Sequence, residues 1–215
     1  MTSSDPLAPT WFLDHEHPDV RAFAEDTTAG LTDDADRAAT LFAAVREEIR
    51  YDPYRVDLRR EAMRASAVLT SGRNWCVPKA TLLAASARAV GIPARLGFAD
   101  VRNHLSTPKL LELMGTDVFR WHGYTTLAVD GAWHKASPAF NAALCERFGV
   151  EALEFDGRAD ALLHAYDGRG ERYMEYVVDR GEYDELPFEE LVTDLQATYP
   201  DLVALATTTE DAGFA

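Results

Sequence analysis

The sequence predicts an α+β fold in which an N-terminal helical part packs against an antiparallel sheet. Apolar residues recur every three or four positions at 39–49 and again at 82–90, a spacing typical of helices that face a core. Three later runs are rich in β-branched and aromatic residues and are typical of strands, at 94–101, 118–129 and 133–139. The pair Asp130-Gly131 between the last two runs indicates a hairpin, whose strands are antiparallel.

The remaining elements follow in order along the chain. The opening segment, to about Val20, shows no periodicity and is predicted to be an arm lying on the domain. Thr32, followed by acidic residues, is predicted to cap the first long helix, which Asp52-Pro53 ends. A final amphipathic helix is predicted at 187–199.

The composition is that of a globular protein, with 47% hydrophobic and 27% charged residues, which excludes a disordered chain. No apolar run approaches the roughly 20 residues of a membrane-spanning helix. The N-terminus lacks the basic start and apolar stretch of a secretory signal, so we predict a cytoplasmic protein. We expect one domain at 1–205, with a core at about 33–140, a C-terminal extension at 141–205 and a frayed tail at 206–215.

The net charge of −15 disfavours nucleic acids and anionic membranes as partners, because both bind concentrated Lys and Arg. We interpret the acidity as a solvated surface. The cysteines do not form a metal-binding pair and the aspartates lack calcium-loop spacing, so no metal or other cofactor is predicted. The sequence specifies no oligomeric state.

Cys76 is placed at the start of a helix, because Pro78 suits a first turn and the apolar stripe that follows ends at Gly91. The free N–H groups and partial positive charge at a helix N-terminus favour a thiolate there. A buried structural cysteine is the alternative. Cys145 lies in the apolar spacing of a short helix, which predicts core packing.

His122 lies on the strand before the predicted hairpin. A two-residue turn would place Ser137 diagonal to His122, on the face that also carries Tyr124 and Lys135. Ser137 would then lie within reach of a ring nitrogen of the histidine. The sequence therefore predicts a thiol, an imidazole and a hydroxyl in one site.

This pattern resembles the transglutaminase-like superfamily around its nucleophile. The matching residues, in family order and spacing, are Trp75-Cys76, the runs 80–83 and 88–95, His122, Gly131-Ala132-Trp133 and Ser137-Pro138. The resemblance covers roughly 41–140 and implies a papain-like arrangement, with the nucleophile helix packed on an antiparallel sheet. It also implies a peptide or small acyl or amide substrate.

In such a family member Cys76 attacks a carbonyl to form a thioacyl intermediate, and His122 serves as base and then as acid. Ser137 occupies the position of the family's aspartate. A serine can orient the ring but adds no negative charge to stabilise the imidazolium. Asn141, just beyond the strand, is a candidate to support His122 by hydrogen bonding.

Other residues are candidates for the cleft. The backbone N–H of Cys76 is the expected oxyanion donor, and Trp75 either adds a donor or packs beside the site. His104 and Tyr124 are candidate substrate-binding residues, and 106–117, a loop with a short helix, is a candidate lid.

Two other functions remain open. The chain could be a non-catalytic binding module that kept the cleft but lost its chemistry with the aspartate. It could also be an acetyltransferase of the arylamine type, which uses Cys, His and Asp on a related fold. The sequence selects neither the acyl group nor the acceptor, water or an amine. Polar and aromatic residues at 155–176 favour an extension of the sheet over a substrate-selecting annex.

Overall fold

The computed structural model describes residues 5–104, 106–165, 167 and 169–211, with side chains through 205. Its helices are α1 (Pro18–Thr27), α2 (Asp34–Glu48), α3 (Ala65–Ser71), α4 (Cys76–Ala89), α5 (Pro108–Met114), α6 (Ala142–Phe148), α7 (Phe188–Thr198) and α8 (Pro200–Asp211). Its strands are β1 (Arg50–Tyr51), β2 (Arg73–Asn74), β3 (Ala94–Asn103), β4 (Val118–Val129), β5 (Ala132–Ala136) and β6 (Met174–Tyr183). A short 3-10 helix at Glu61–Met63 precedes α3.

Four strands form an antiparallel sheet in the spatial order β5, β4, β3, β6. The two short strands β1 and β2 pair in parallel beside it and lead into α4. The helical part and the sheet together confirm the predicted α+β, papain-like class. Among the described residues, none of the helices is long and apolar enough to cross a membrane.

Helix α4 is the centre of the core, and its residues from Cys76 to Arg88 are all buried. It packs against α1, α2 and α3 as well as against β3 and β4. The sequence predicted an apolar stripe on one face only, whereas the helix is covered all round. Its two buried cations are satisfied by carbonyl groups: Lys79 donates to Arg46 and Ile49, and Arg88 donates to Ala94 and to Ala8.

The N-terminal elements differ in detail from the prediction. Residues 5–17 are irregular, but helix α1 already begins at Pro18, where proline suits the first helical position. Helix α2 is capped by Asp33 rather than Thr32, because the Asp33 carboxylate accepts the N–H groups of Ala35 and Asp36.

The β4–β5 hairpin has the predicted register, with Thr125 opposite Ala136. Asp130 and Gly131 both have positive φ, at 51° and 81°, as a tight two-residue turn requires. Strand β5 ends at Ala136, earlier than expected, because Ser137 donates its N–H to Ala161 instead of continuing the ladder.

The C-terminal third extends the sheet and then adds two helices. Strand β6 pairs with β3 as the edge strand, so the sheet is extended by 174–183, whereas the described residues at 155–173 are irregular apart from isolated bridges such as that between Ala161 and Ala136. Helix α7 lies close to the predicted bounds of 187–199. The backbone of 206–211 continues α8, whereas the sequence predicted a frayed tail from 206; residues 212–215 lie outside the described part of the chain.

Candidate active site

Cys76 is the first residue of α4 and is 8% exposed. The backbone N–H groups of Gly123 and Val77 lower the pKa of its thiol, as expected at a helix start, but burial outweighs them and raises the pKa to about 11. The net shift is therefore opposite to the one expected from the helix N-terminus alone. The cause is desolvation, which disfavours the charged form more than the donors stabilise it.

The approach of Gly123 to the thiol depends on its missing side chain. A Cβ at this position would lie 2.9 Å from the Cα of Val77, in the first turn of α4. Because Gly123 has no side chain to hold β4 away from α4, its N–H reaches the thiol of Cys76. Sequence reasoning missed this residue; a glycine directly after the candidate base, inside a strand, was the available indication.

His122, on β4, is 4% exposed, and burial lowers the pKa of its imidazole to about 4. Its Nε2 lies 3.2 Å from the Oγ of Ser137, which is itself buried. The structure thus brings the predicted imidazole and hydroxyl together. Burial thus favours the neutral forms of both the thiol and the ring.

The residue before His122 has an unusual conformation. Trp121 has φ 58°, the left-handed region that bulky side chains rarely adopt. Its N–H donates to Asp100 at 3.1 Å, and its indole Nε1 donates to Asp194 at 2.8 Å. Arg180 bonds to both carboxylates and lies 4.5 Å from the indole ring. We call Asp100, Arg180 and Asp194 the Trp121 network.

Cys76 and His122 line one small cavity of about 50 Å³, which we call the thiol cavity. Its walls include Trp75 and, from the C-terminal helices, Leu195 and Tyr199. A pocket of about 240 Å³ adjoins it, and the two share the side chains of Tyr51, Pro53, Asn103, Phe119 and Phe140.

A family model described as the transglutaminase-like superfamily matches residues 21–138. The chain belongs to this superfamily. The matched region holds Cys76, His122 and Ser137, and it excludes β6, α7 and α8, so the walls that these elements supply lie outside the family core.

Two solved structures are similar to this superfamily member. A candidate cysteine protease from Cytophaga hutchinsonii has a TM-score of 0.48 and 16% identity, over 62% of this chain and 40% of its own. A candidate protease from Parabacteroides distasonis ATCC 8503 has a TM-score of 0.42 and 18% identity, over 63% of this chain and 27% of its own. This chain therefore spans less than half of either relative. No curated protein matches the sequence.

Trp75 and Asn141 have different surroundings. Trp75 precedes α4, and its buried Nε1 has no hydrogen-bond partner among the described residues. Asn141 directs its amide away from His122: the oxygen accepts the N–H of Tyr51 at 2.6 Å, and the nitrogen donates to carbonyls at the end of α2. Its contacts fix the junction between α2 and β1.

His104 and Tyr124 lie outside the thiol cavity. His104 Nε2 is 3.6 Å from a carboxylate oxygen of Glu175, and the ring of Tyr124 lies 5.2 Å from the Nζ of Lys135. Each lines a separate shallow depression, and the two depressions share Tyr176 as a wall. The structure does not bring either residue to Cys76.

The candidate lid supplies walls to both cavities. Met114 lines the thiol cavity, and Ser106, Thr107 and Leu110 line the adjoining pocket. Cys145, predicted to be a core residue, is buried and lines that pocket too. Within the described part of the chain, no group of three His, Cys, Asp or Glu side chains is placed to hold a metal ion.

Proposed function

We propose that this protein is a cysteine hydrolase or acyltransferase that acts on amide or peptide substrates through a thioacyl intermediate on Cys76. The observation that carries the proposal is the shared cavity: a thiol at the start of a buried helix, and an imidazole with one nitrogen hydrogen-bonded to Ser137. This is the arrangement of a nucleophile, a base and an orienting group.

The chemistry follows from these contacts. Because Nε2 is engaged by Ser137, Nδ1 of His122 accepts the thiol proton while the sulfur bonds to the substrate's carbonyl carbon. The oxyanion is stabilised by the N–H of Cys76 and by the unpartnered indole N–H of Trp75. His122 returns the proton to the leaving amine, and water or another amine then attacks the thioester and restores the thiol.

Proton transfer must accompany the attack rather than precede it. Burial raises the pKa of the thiol to about 11 and lowers that of the imidazole to about 4, so it disfavours the separated ion pair. The resting protein therefore holds SH and neutral imidazole, and substrate entry drives the transfer.

The first test is acyl transfer from p-nitrophenyl acetate, a small ester that needs no specificity pocket. We expect release of p-nitrophenol together with an acetyl group on Cys76, located by peptide mass mapping. Cys76→Ala should abolish the adduct, and His122→Ala should slow its formation by about a hundredfold or more.

Cys145 provides the matched control, since it is the second buried thiol of the chain. Cys145→Ala should leave the acetylation rate unchanged. Acetylation that persists at an equal rate in Cys76→Ala, or that maps to Cys145, would contradict the proposal.

A second candidate function is a binding module without turnover. The observation that favours it is the neutral thiol and imidazole pair beside a serine in place of a carboxylate. Ser137→Asp separates the two functions. In a working enzyme the added charge should raise an existing acetylation rate, whereas in a binding module the wild type shows no adduct and Ser137→Asp creates the activity.

A further inference from the structure

The pocket beside the thiol cavity has no role in the chemistry described above. It encloses about 240 Å³, and aromatic rings form much of its wall: Tyr51, Tyr54, Phe119, Phe140, Phe148 and Tyr173. Tyr51 and Phe140 also line the thiol cavity, so a group bonded to Cys76 can extend past them into the larger space. Edge-to-face packing at 4.7 Å holds these two rings together.

One of the residues that line this pocket carries a polar atom without a partner. The Oγ of Ser106 is buried and forms no hydrogen bond to any described residue. A buried hydroxyl without a partner is costly, on the order of 1–3 kcal/mol, so such a group is expected to meet a ligand or water. The wall of the pocket thus combines aromatic rings with a serine whose buried hydroxyl has no partner among the described residues.

The side of the scissile bond follows from His122. The leaving amine must stay beside His122 to receive its proton. His122 lines the thiol cavity but does not line the larger pocket. In the inference that follows, a group in the larger pocket belongs to the acyl part of the substrate, which stays on Cys76 after the leaving group departs.

We infer that the pocket selects acyl groups with a phenolic side chain, such as a tyrosyl residue adjacent to the reacting carbonyl. The ring packs against the aromatic wall, and the phenol hydroxyl bonds to Ser106. This inference rests on the proposed function, because it requires acylation of Cys76.

The experiment compares p-nitrophenyl esters of N-acetyl-tyrosine, N-acetyl-phenylalanine and N-acetyl-glycine, with p-nitrophenyl acetate as the reference. In each acylation the carbonyl carbon bonds to Sγ, p-nitrophenolate leaves and the thiol proton passes to His122. Each second-order rate constant is divided by that of the ester's spontaneous hydrolysis. We expect tyrosine to exceed phenylalanine by about tenfold and phenylalanine to exceed glycine by about tenfold or more.

Two variants assign any preference to this pocket. Ser106→Ala should remove the margin of tyrosine over phenylalanine. Leu144→Trp fills the pocket from α6 and should remove the preference for both aromatic esters, whereas Leu162→Trp, in the separate depression beside Tyr124, is the matched control and should not.

The outcomes separate the inference from the proposed function. Acylation of Cys76 by all four esters without aromatic preference, or a preference that Leu144→Trp leaves intact, overturns the inference and keeps the enzyme. A margin of tyrosine over phenylalanine that survives Ser106→Ala overturns the role of that hydroxyl. No adduct from any ester, p-nitrophenyl acetate included, overturns both.

Discussion

The two halves of the candidate site are held in place by different means. Cys76 begins α4, whose residues from Cys76 to Arg88 are all buried and which packs against α1, α2, α3 and the sheet. His122 follows Trp121, a residue in a left-handed conformation that bonds to Asp100 and Asp194 of the Trp121 network. Tyr199 accepts the N–H of the preceding residue, Arg120. The thiol is therefore positioned by packing within the family core, and the imidazole by charges that arrive from β6 and α7.

This difference has a physical basis. A left-handed conformation at a non-glycine residue costs on the order of 1–2 kcal/mol and persists only where surrounding contacts impose it. Asp100 accepts the backbone N–H of Trp121, and Asp194 accepts its indole N–H. The elements that carry Arg180 and Asp194 lie beyond residue 138, where the family match ends. The C-terminal third thus contacts the residue that precedes His122, in addition to enlarging the fold.

The largest effect is expected from Gly123→Ala, which removes the close approach between the two halves. The added Cβ would lie 2.9 Å from the Cα of Val77, so strand and helix must separate because backbone atoms cannot rotate away. We expect a loss of about 3 kcal/mol in the free energy of unfolding, and acetylation of Cys76 slowed by about a hundredfold. Urea unfolding and the p-nitrophenyl acetate assay measure the two effects.

Gly97→Ala is the matched control for that change. Its added Cβ would meet the far end of the Tyr124 ring, outside the thiol cavity, instead of backbone. This variant should lose stability but keep most of the acetylation rate. Equal losses of rate in the two variants would mean that the contact between Gly123 and the thiol has no special importance.

The second prediction concerns pH and isolates the buried imidazole. Burial lowers the pKa of His122 to about 4, against 6.5 for an unburied histidine. Between these values the unfolded chain binds a proton that the native state does not, so stability falls as the pH drops from 6.5 to 4. Relative to His122→Gln, the wild type should lose up to about 3 kcal/mol over this interval.

Urea unfolding at several pH values between 7 and 4 measures this difference. The comparison with His122→Gln cancels the titration of the carboxylates, which both proteins share. A difference in stability that stays constant with pH would show that the imidazole is not buried in its neutral form.

Local features of the fold could be predicted from the sequence because they are encoded by nearby residues. The start of α4 at Cys76 follows from Pro78 and the apolar spacing after it, and the hairpin register follows from Asp130-Gly131. The same register predicted that Ser137 would lie near His122, and the Oγ of Ser137 is 3.2 Å from the Nε2 of His122. These relations depend on turn geometry and strand alternation, which short patterns determine.

The remaining features depend on contacts between distant parts of the chain. Trp121 and Asp194 are 73 positions apart, and no spacing pattern indicates their hydrogen bond. The pKa of Cys76 was predicted in the wrong direction because a sequence shows the helix start but not the depth of burial. Asn141 was a candidate to support His122, but its amide nitrogen donates to carbonyl groups at the end of α2 instead. Those groups lie more than 90 positions earlier in the sequence.

The smallest effect is expected from Asp194→Ala, which tests whether the polar contacts of Trp121 position His122. Burial raises the pKa of the Asp194 carboxyl, but hydrogen bonds from Trp121 and Arg120 outweigh it and lower the pKa, so the group is charged at neutral pH. Its removal leaves Arg180 and the indole N–H with fewer partners, which should cost about 2 kcal/mol of stability. Because His122 follows Trp121, we also expect kcat for acylation to fall by about tenfold with little change in KM.

Glu189→Ala, on the same helix, removes an equal charge whose ion pair with Arg60 is exposed. It should change stability by less than about 0.5 kcal/mol and leave kcat unaltered. Asp194→Asn keeps an acceptor for the indole N–H and should recover part of the rate lost in Asp194→Ala. If Asp194→Ala instead lowers the melting temperature while kcat stays at the wild-type value, the network supports the fold without orienting His122. In that case the polar contacts around Trp121 would contribute to the free energy of unfolding but not to the rate of acylation.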